Sequence, residues 1–165
     1  MGTSIQKITA NLWYAKEAEE AAKFYTSIFP DSRIDSVTPM PADSPSGPAG
    51  SVTIVEFTLF GQKFMAMSAG PLDKFNHAVS FMVHCDDQAE IDRYWDAILK
   101  NGGTEEECGW VKDKFGVCWQ ITPTILNELM RDPDRAKARR VTEAMLKMKK
   151  LDVAELRAAA ANKAA

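Results

Sequence analysis

Apolar and polar positions repeat weakly along this chain, with an offset of 70 residues. An apolar run at 8–14 leads into an acidic amphipathic segment, and a second run at 79–85 leads into another. The matched positions are Glu20 and Glu90, Phe24 and Tyr94, Tyr25 and Trp95, Ile28 and Ile98, and Phe29 and Leu99. A strand and a helix matched in one register indicate duplicated supersecondary units. We expect the two copies to enclose a shared pocket.

The first copy reads as one strand, one helix and three further strands. Alternation and helical spacing predict a strand over Ile5–Tyr14, a helix over Lys16–Phe29, and strands over Arg33–Thr38, Ser51–Phe60 and Lys63–Ser68. Pro39–Gly50 contains four prolines and two glycines and is therefore predicted to be a loop.

The second copy follows the same order. A strand is predicted over His77–Cys85, and the capping-box spacing of Asp87 and Glu90 starts a helix at Gln88. Asn101–Gly103 ends that helix, and short strands follow over 105–122.

The C-terminal segment departs from the repeat. Asp132 and Pro133 suit an N-cap and a first helical turn, and Asp152 and Glu155 repeat the capping-box spacing. Residues 1–130 carry 10 Lys and Arg against 18 Asp and Glu, whereas residues 131–165 carry 10 against 5. A basic tail is one signature of nucleic-acid binding. Because apolar residues interrupt these charges throughout, we expect instead a helical tail that docks on an acidic body.

Composition limits the remaining classes of protein. With 45% apolar and 26% charged residues, the 165-residue chain has the composition of a globular domain. No apolar run is long enough for a membrane span, and the first residues lack the apolar stretch of a secretion signal. We therefore expect a cytoplasmic protein with neither a membrane nor a nucleic-acid partner. Three cysteines without a CxxC pair predict neither a disulfide framework nor a structural zinc site.

Four segments carry a resemblance to a known family: EEAAKFYTSIFPDSRI, GPLDKFNHAVSFMVHC, ECGWVKDKFGVCWQITPT and DPDRAKARRVTEAMLKMKKLDVAEL. They resemble the PhnB-like family of the vicinal oxygen chelate superfamily, which includes glyoxalase I, extradiol dioxygenases and antibiotic-resistance proteins. Members are often labelled 3-demethylubiquinone-9 3-methyltransferase. The resemblance implies an α+β fold of tandem βαβββ modules around a cavity, in a homodimer. It divides the chain into modules 1–70 and 71–130 and a helical extension 131–165, within one structural domain.

The superfamily mechanism implied by this resemblance uses a divalent ion held by four inward His or Glu side chains. The matching positions fall on Ala10, Ser80, Gln120 and a residue within 64–68, where no Asp, Glu, His or Cys occurs. We therefore expect neither a metal at this site nor any cofactor. Glu56, on the adjacent strand, is the carboxylate that could compensate.

Few other residues suit catalysis. His77 precedes its strand and could act as a general base, and Cys108 precedes a predicted pocket edge. His84 and Cys85 are strand neighbours on opposite faces, which disfavours a nucleophilic pair. Cys118 is expected to point away from Gln120 and the cavity. Glu56, His77 and Cys108 thus stand as weak catalytic candidates.

Aromatic, methionine and small polar residues are the better candidates for binding. The residues predicted to line the pocket are Trp13, Phe57, Met67, Ser80, Met82, Trp110, Phe115 and Gln120. Such a wall suits a planar or apolar small molecule. The charged turn of Lys112, Asp113 and Lys114 is expected to be solvated.

The sequence leaves three functions open. The first is a metal-free cavity that binds a small aromatic or apolar molecule. The second is a metal-dependent lyase, isomerase or dioxygenase that uses substitute ligands such as Glu56 and His77. The third is the methyltransferase of the family label, which is poorly supported because no glycine-rich turn follows the first strand.

Overall fold

The computed structural model of this chain describes residues 6–161, and its contacts divide the chain into two compact units between Lys74 and Phe75. The first unit contains β1 (Ala10–Tyr14), α1 (Ala18–Ile28), β2 (Arg33–Pro39), β3 (Thr53–Leu59) and β4 (Gln62–Ser68). Its sheet has the order β1-β4-β3-β2, with β1 parallel to β4 and the other pairs antiparallel. The predicted strand, helix and three strands are confirmed.

The second unit repeats this topology. It contains β5 (Ser80–Cys85), α2 (Gln88–Lys100), β6 (Thr104–Glu105), β7 (Trp110–Lys112) and β8 (Cys118–Pro123). The sheet order is β5-β8-β7-β6, again with one parallel pair, between β5 and β8. The α+β fold of tandem βαβββ modules is therefore confirmed.

Two strands begin later than predicted. Of the predicted strand over Ile5–Tyr14, Ile5 lies outside the described residues, and β1 begins at Ala10. In the second unit β5 begins at Ser80, three residues after the predicted start at His77. A local turn explains this second difference, since the side chain of Asn76 accepts a hydrogen bond from the Ala78 amide at 2.8 Å.

The first helix buries a narrow stripe of small residues against its sheet. Ala18, Ala21 and Ala22 are completely buried. Tyr25 follows them, and its hydroxyl lies 3.0 Å from the Tyr14 hydroxyl. Small side chains let the helix approach the sheet closely, and the paired hydroxyls satisfy each other inside the core.

The second helix begins at the predicted residue. Asp87 is the N-cap, and its side chain accepts a hydrogen bond from the Glu90 amide at 2.9 Å. The Glu90 carboxylate in turn accepts from the Asp86 amide at 2.9 Å. This reciprocal arrangement satisfies amides that the first helical turn leaves unpaired.

The two units match with different offsets in their helices and strands. The buried residues Ala21 and Tyr25 of α1 correspond to Ile91 and Trp95 of α2, 70 residues later. The buried residues Leu12 and Tyr14 of β1 correspond to Val83 and Cys85 of β5, 71 residues later. Three residues join β1 to α1, whereas two join β5 to α2. The single offset of 70 predicted from sequence is therefore correct for the helices and wrong for the strands.

The C-terminal extension is helical, as predicted, but it begins earlier and is capped differently. Its helices are α3 (Thr124–Met130), α4 (Arg135–Met145) and α5 (Val153–Ala161), of which α3 was not predicted. The N-cap of α4 is Asp134, not Asp132, because the Asp134 side chain accepts from the amides of Ala136 and Lys137. The predicted cap at Asp152 is confirmed by its bond from the Glu155 amide at 2.9 Å.

The extension packs on the second unit. A cluster of buried side chains joins its helices: Leu126, Val141, Met148, Leu151 and Leu156. Gln88 of α2 links to the segment before α5 by donating to the Leu151 carbonyl and accepting from the Val153 amide. Lys149 pairs with Glu105, and Lys150 pairs with both Asp92 and Asp96. The basic tail thus contacts acidic side chains of its own chain.

Within residues 6–161, no helix is both long and apolar enough to cross a membrane.

Candidate functional site

The sheet of the second unit has one face covered by α2 and one face opposite it, called here the non-helical face. Val83, Cys85 and Ile121 point towards the buried stripe of α2 and are almost fully buried. Because successive strand residues alternate, their neighbours point the other way. The strand register places Ser80, Met82, His84, Trp110, Lys112, Cys118 and Gln120 on the non-helical face.

Ser80 and Gln120 form a neutral pair on this face. The side-chain amide of Gln120 donates to the Ser80 hydroxyl at 2.8 Å. Met82, the strand partner of Gln120, is 45% exposed beside them. Three of the residues predicted to bind a ligand thus lie together.

A charged cluster lies beside this pair and centres on Glu106. His77 Nε2 lies 2.8 Å and 3.0 Å from the two Glu106 carboxylate oxygens, and Lys112 Nζ lies 3.2 Å from one of them. Partial burial tends to raise the pKa of Glu106. The hydrogen bonds from His77 and Lys112 and the Lys112 charge outweigh that effect and hold this pKa below its usual value. Glu106 is therefore ionised at neutral pH.

Cys118 completes the cluster, contrary to the sequence expectation. Its sulfur, a nitrogen of His77 and a carboxylate oxygen of Glu106 all lie within 4.8 Å of one another. The expectation that Cys118 points away from Gln120 was wrong because residues two apart in a strand share a face. Burial raises the pKa of the Cys118 thiol, and the carboxylates of Glu106 and Asp113 add to this increase, while Lys112 opposes it.

An open hollow of about 580 Å³ lies over one end of the non-helical face. Its lining residues are His77, Glu106, Glu107, Cys108 and Trp110. The Trp110 ring lies 5.9 Å from the His77 ring, so an aromatic surface meets the charged cluster at this point. His77, Cys108 and Trp110, all predicted site residues, are brought together here.

The C-terminal extension holds the rim of this hollow. The amides of Cys108 and Gly109 donate to the carbonyls of Met148 and Lys149, both at 2.7 Å. Cys108 has φ of 59° and Gly109 has φ of 82°, a left-handed turn that costs a non-glycine residue free energy. A Cβ on Gly109 would lie 2.9 Å from the Leu151 side chain. The tail therefore stabilises a turn that the β6–β7 connection alone would hold less well.

Comparison with known proteins assigns the chain to a family. The family model described as 3-demethylubiquinone-9 3-methyltransferase matches residues 6–122. The chain belongs to this family. A solved structure of the Bacillus cereus PhnB protein, a proposed 3-demethylubiquinone-9 3-methyltransferase, is 34% identical, with a TM-score of 0.62. That similarity covers 72% of this chain and 100% of the Bacillus protein.

Fosfomycin resistance proteins share the fold. FosX of Listeria monocytogenes is 15% identical with a TM-score of 0.57, over 80% of this chain and 100% of its own. FosX of Mesorhizobium loti is 16% identical with a TM-score of 0.55, over 79% and 100%. None of the curated proteins matches the chain. The similarity places the family in the vicinal oxygen chelate fold, and the family model ends before the C-terminal extension.

The superfamily metal positions of this family member do not fit a divalent ion. Ser80 and Gln120 bond to each other and carry no charge, whereas hard and borderline cations prefer carboxylate, imidazole or thiolate ligands. Ala10 pairs with Phe64, which pairs with Phe57 beneath α1, so Ala10 lies on the helix-covered face of the first sheet. Ala10 and Ser80 are therefore not equivalent positions.

The candidate residues of the first unit separate by face. Trp13, Met67 and Glu56 lie opposite α1, and the Trp13 indole donates to the Gly70 carbonyl at 2.8 Å. Phe57 is fully buried against Tyr25 and Phe64, so its prediction as a ligand contact is corrected to a core position. Glu56 is exposed and accepts a bond from Ser36 at 2.7 Å. Among residues 6–161 it belongs to no group of three metal-ligating side chains.

Two further sequence expectations concern the 112–115 turn. Asp113 is 4% exposed and not solvated, because it accepts from the Trp119 indole and from the amides of Phe115 and Val117. Phe115 lies on this turn, away from the residues that line the hollow. His84 is exposed on the non-helical face, and Cys85 is buried on the other. Burial raises the pKa of Cys85 to about 12, so the pair is unsuited to nucleophilic catalysis.

Glu106 was missed by sequence reasoning, although it is the centre of the site. It lies in the run Glu105–Glu107, which has no motif spacing and resembles a solvated loop. Only the pairing of β6 with β7 places it beside Lys112. The available signal was the position of this acidic run directly before Cys108 and Trp110.

Proposed function

We propose that this PhnB-like protein binds a small aromatic or apolar organic molecule in the hollow beside Trp110, with no metal at the Ser80 and Gln120 position. The observation that carries the proposal is the half-buried Trp110 ring in the wall of a mostly apolar hollow of about 580 Å³. Hollows of this size with a few polar groups suit small organic ligands.

The charged groups define the polar end of the proposed ligand. Glu106 and Glu107 place two carboxylates at the hollow, and Lys112 pairs with Glu106. A ligand that stacks on Trp110 and presents a hydrogen-bond donor to Glu106 satisfies both features. Met82 and the Ser80–Gln120 pair extend the same face for a longer molecule.

Methyl transfer receives no support from this geometry. Cofactor binding by the usual methyltransferases uses a doubly wound parallel sheet, and each sheet here has a single parallel pair.

Ligand screening tests the proposal. A panel of planar aromatic metabolites should contain compounds that raise the melting temperature, and calorimetric titration should then give one binding site per chain. Trp110→Ala should weaken that binding more than about tenfold, because it removes the stacking surface. The matched control is Trp13→Ala, since Trp13 is also half-buried on a sheet face but lies in the first unit.

Three outcomes would count against the proposal. The panel could yield no stabilising compound, or Trp110→Ala could bind as tightly as the wild-type protein. Loss of binding in Trp13→Ala alone would move the site to the first unit.

A further inference from the structure

One group of three metal-ligating side chains occurs within residues 6–161, and it is displaced from the superfamily position. His77, Glu106 and Cys118 supply a ring nitrogen, a carboxylate oxygen and a sulfur, all within 4.8 Å of one another. The Ser80 hydroxyl and Gln120 amide, which occupy the superfamily positions, take no part in it. The family's neutral pair and this cluster lie on the same face of one sheet.

The donor set matches one kind of ion. Imidazole nitrogen, carboxylate oxygen and thiolate sulfur are the three ligand types of zinc, and three protein ligands leave one position for water. Zinc–ligand bonds of about 2.0–2.3 Å in a tetrahedron separate neighbouring donor atoms by about 3.6 Å. His77 Nε2 and the nearer Glu106 oxygen already lie 2.8 Å apart, so small side-chain movements produce the required spacing.

The backbone fixes two of the three donors. Cys118 begins β8 and pairs with Ser80 and Lys112 on either side. The Glu106 amide donates to the Trp110 carbonyl at 2.9 Å, which holds the residue against β7. His77 lies outside the strands with 55% of its side chain exposed, whereas Cys118 is only 1% exposed. An ion would therefore reach the buried sulfur from the His77 side, through the hollow.

Lys112 opposes cation binding and so provides a sharp test. Its ammonium group lies 3.2 Å from one Glu106 oxygen, while His77 is nearer the other. The Lys112 side chain is 34% exposed and can turn towards solvent. In place, it would orient the carboxylate from outside the ligand shell while repelling the ion.

We propose that His77, Glu106 and Cys118 form a zinc site with water as the fourth ligand. On binding, the zinc–sulfur bond replaces the sulfur–hydrogen bond of Cys118, and the released proton goes to solvent. The imidazole binds as the neutral ring through one nitrogen. No oxidant or reductant is needed, since neither zinc nor sulfur changes oxidation state.

Metal titration of the ligand-free protein tests this site without reference to the proposed organic ligand. Calorimetry with Zn²⁺ should give one ion per chain and a proton release that depends on the buffer. Titration with Co²⁺ should produce the charge-transfer absorption of a cobalt–thiolate bond. His77→Ala and Cys118→Ser should each weaken Zn²⁺ binding more than about tenfold, and Cys118→Ser should remove the absorption band.

The chain offers matched controls. His84→Ala removes the other histidine, which is exposed on the same face, and Cys108→Ser removes a cysteine at the hollow. Both should bind Zn²⁺ as the wild-type protein does. Lys112→Met should bind it more tightly, because the opposing charge is lost.

Three results would overturn the zinc site: the absence of one-to-one binding, a cobalt complex without the thiolate band, or unchanged affinity in His77→Ala. The last variant alters a side chain that is mostly exposed, so it separates loss of a ligand from loss of folding. Circular dichroism of Cys118→Ser serves the same purpose at the buried position. Failure here leaves the Trp110-dependent ligand binding untouched.

Discussion

Glu106 has more charged partners than any other residue of the hollow, and its ionisation links the site to stability. The pKa of this carboxyl is held below its usual value. A lowered folded-state pKa contributes stability that is present above the unfolded pKa and is lost as the pH falls through the folded value. Glu106→Gln should therefore lower the free energy of unfolding by about 1 kcal/mol at pH 7. Urea denaturation should show this difference shrinking as the pH falls below about 4.5.

Glu107→Gln is the control for this experiment. Glu107 lies next to Glu106 at the same hollow but is exposed. Its substitution should change the free energy of unfolding by less than about 0.5 kcal/mol at either pH. Equal losses in both variants, or a loss in Glu106→Gln that persists at acid pH, would argue against the charge pairs as the cause.

At the residue scale, faces were predictable where strand limits were known. His84 and Cys85 were correctly assigned to opposite faces from alternation alone. Phe57 was misplaced because aromatic residues suit a pocket wall and a core equally well, and only its packing on Tyr25 decides between them. Glu106 required knowledge of the pairing between two short strands, which no local pattern contains.

Among the elements, the C-terminal extension has the clearest link to the site. Leu151 is fully buried in the extension's apolar cluster, and its neighbours Met148 and Lys149 accept bonds from the Cys108 and Gly109 amides. Leu151→Ala should lower the free energy of unfolding by about 3 kcal/mol. It should also speed hydrogen exchange at the amides of Cys108 and Gly109, because the tail detaches more often.

Leu146→Ala provides the comparison within the same extension. Leu146 is 58% exposed, so this variant should lose less than about 0.5 kcal/mol and leave exchange at both amides unchanged. If Leu151→Ala exchanged at the wild-type rate at Cys108 and Gly109, the tail would not be what holds the rim.

The order of elements was predictable because turn and capping signals marked most boundaries. Asp87 and Asp152 were recognised as caps from the acidic residue three positions later. Asp132 was preferred over Asp134 because Pro133 suits a first turn, but the Asp132 side chain accepts from the Asp134 amide before the helix starts. Helix α3 lacks a side-chain cap, so no local signal marked its start at Thr124.

For the whole molecule, the predicted charge asymmetry has a structural counterpart. Lys149 and Lys150 of the basic tail pair with Glu105, Asp92 and Asp96. Each exposed pair contributes little stability alone, so the apolar cluster around Leu151 supplies most of the docking free energy. The contacts agree with the interpretation that the tail docks on an acidic body.

The homodimer implied by the family resemblance stays a prediction. Each sheet has one face covered by its own helix, and large apolar side chains such as Met82 and Phe60 are 45% and 42% exposed. Covering such surface favours association. Sedimentation equilibrium should give twice the chain mass of 18.3 kDa, and a single species at 18.3 kDa across the concentration range would contradict it.

The extra residue between β1 and α1 bears on how the two halves have diverged. Lengthening that connection by one residue leaves the helix stripe in register but exchanges the inner and outer residues of the strand relative to the other half. A duplicated gene could thereby present a new set of side chains on one sheet without altering how either helix packs. Insertions in this three-residue connection thus offer evolution a route to new chemistry that point substitution would reach only through many steps.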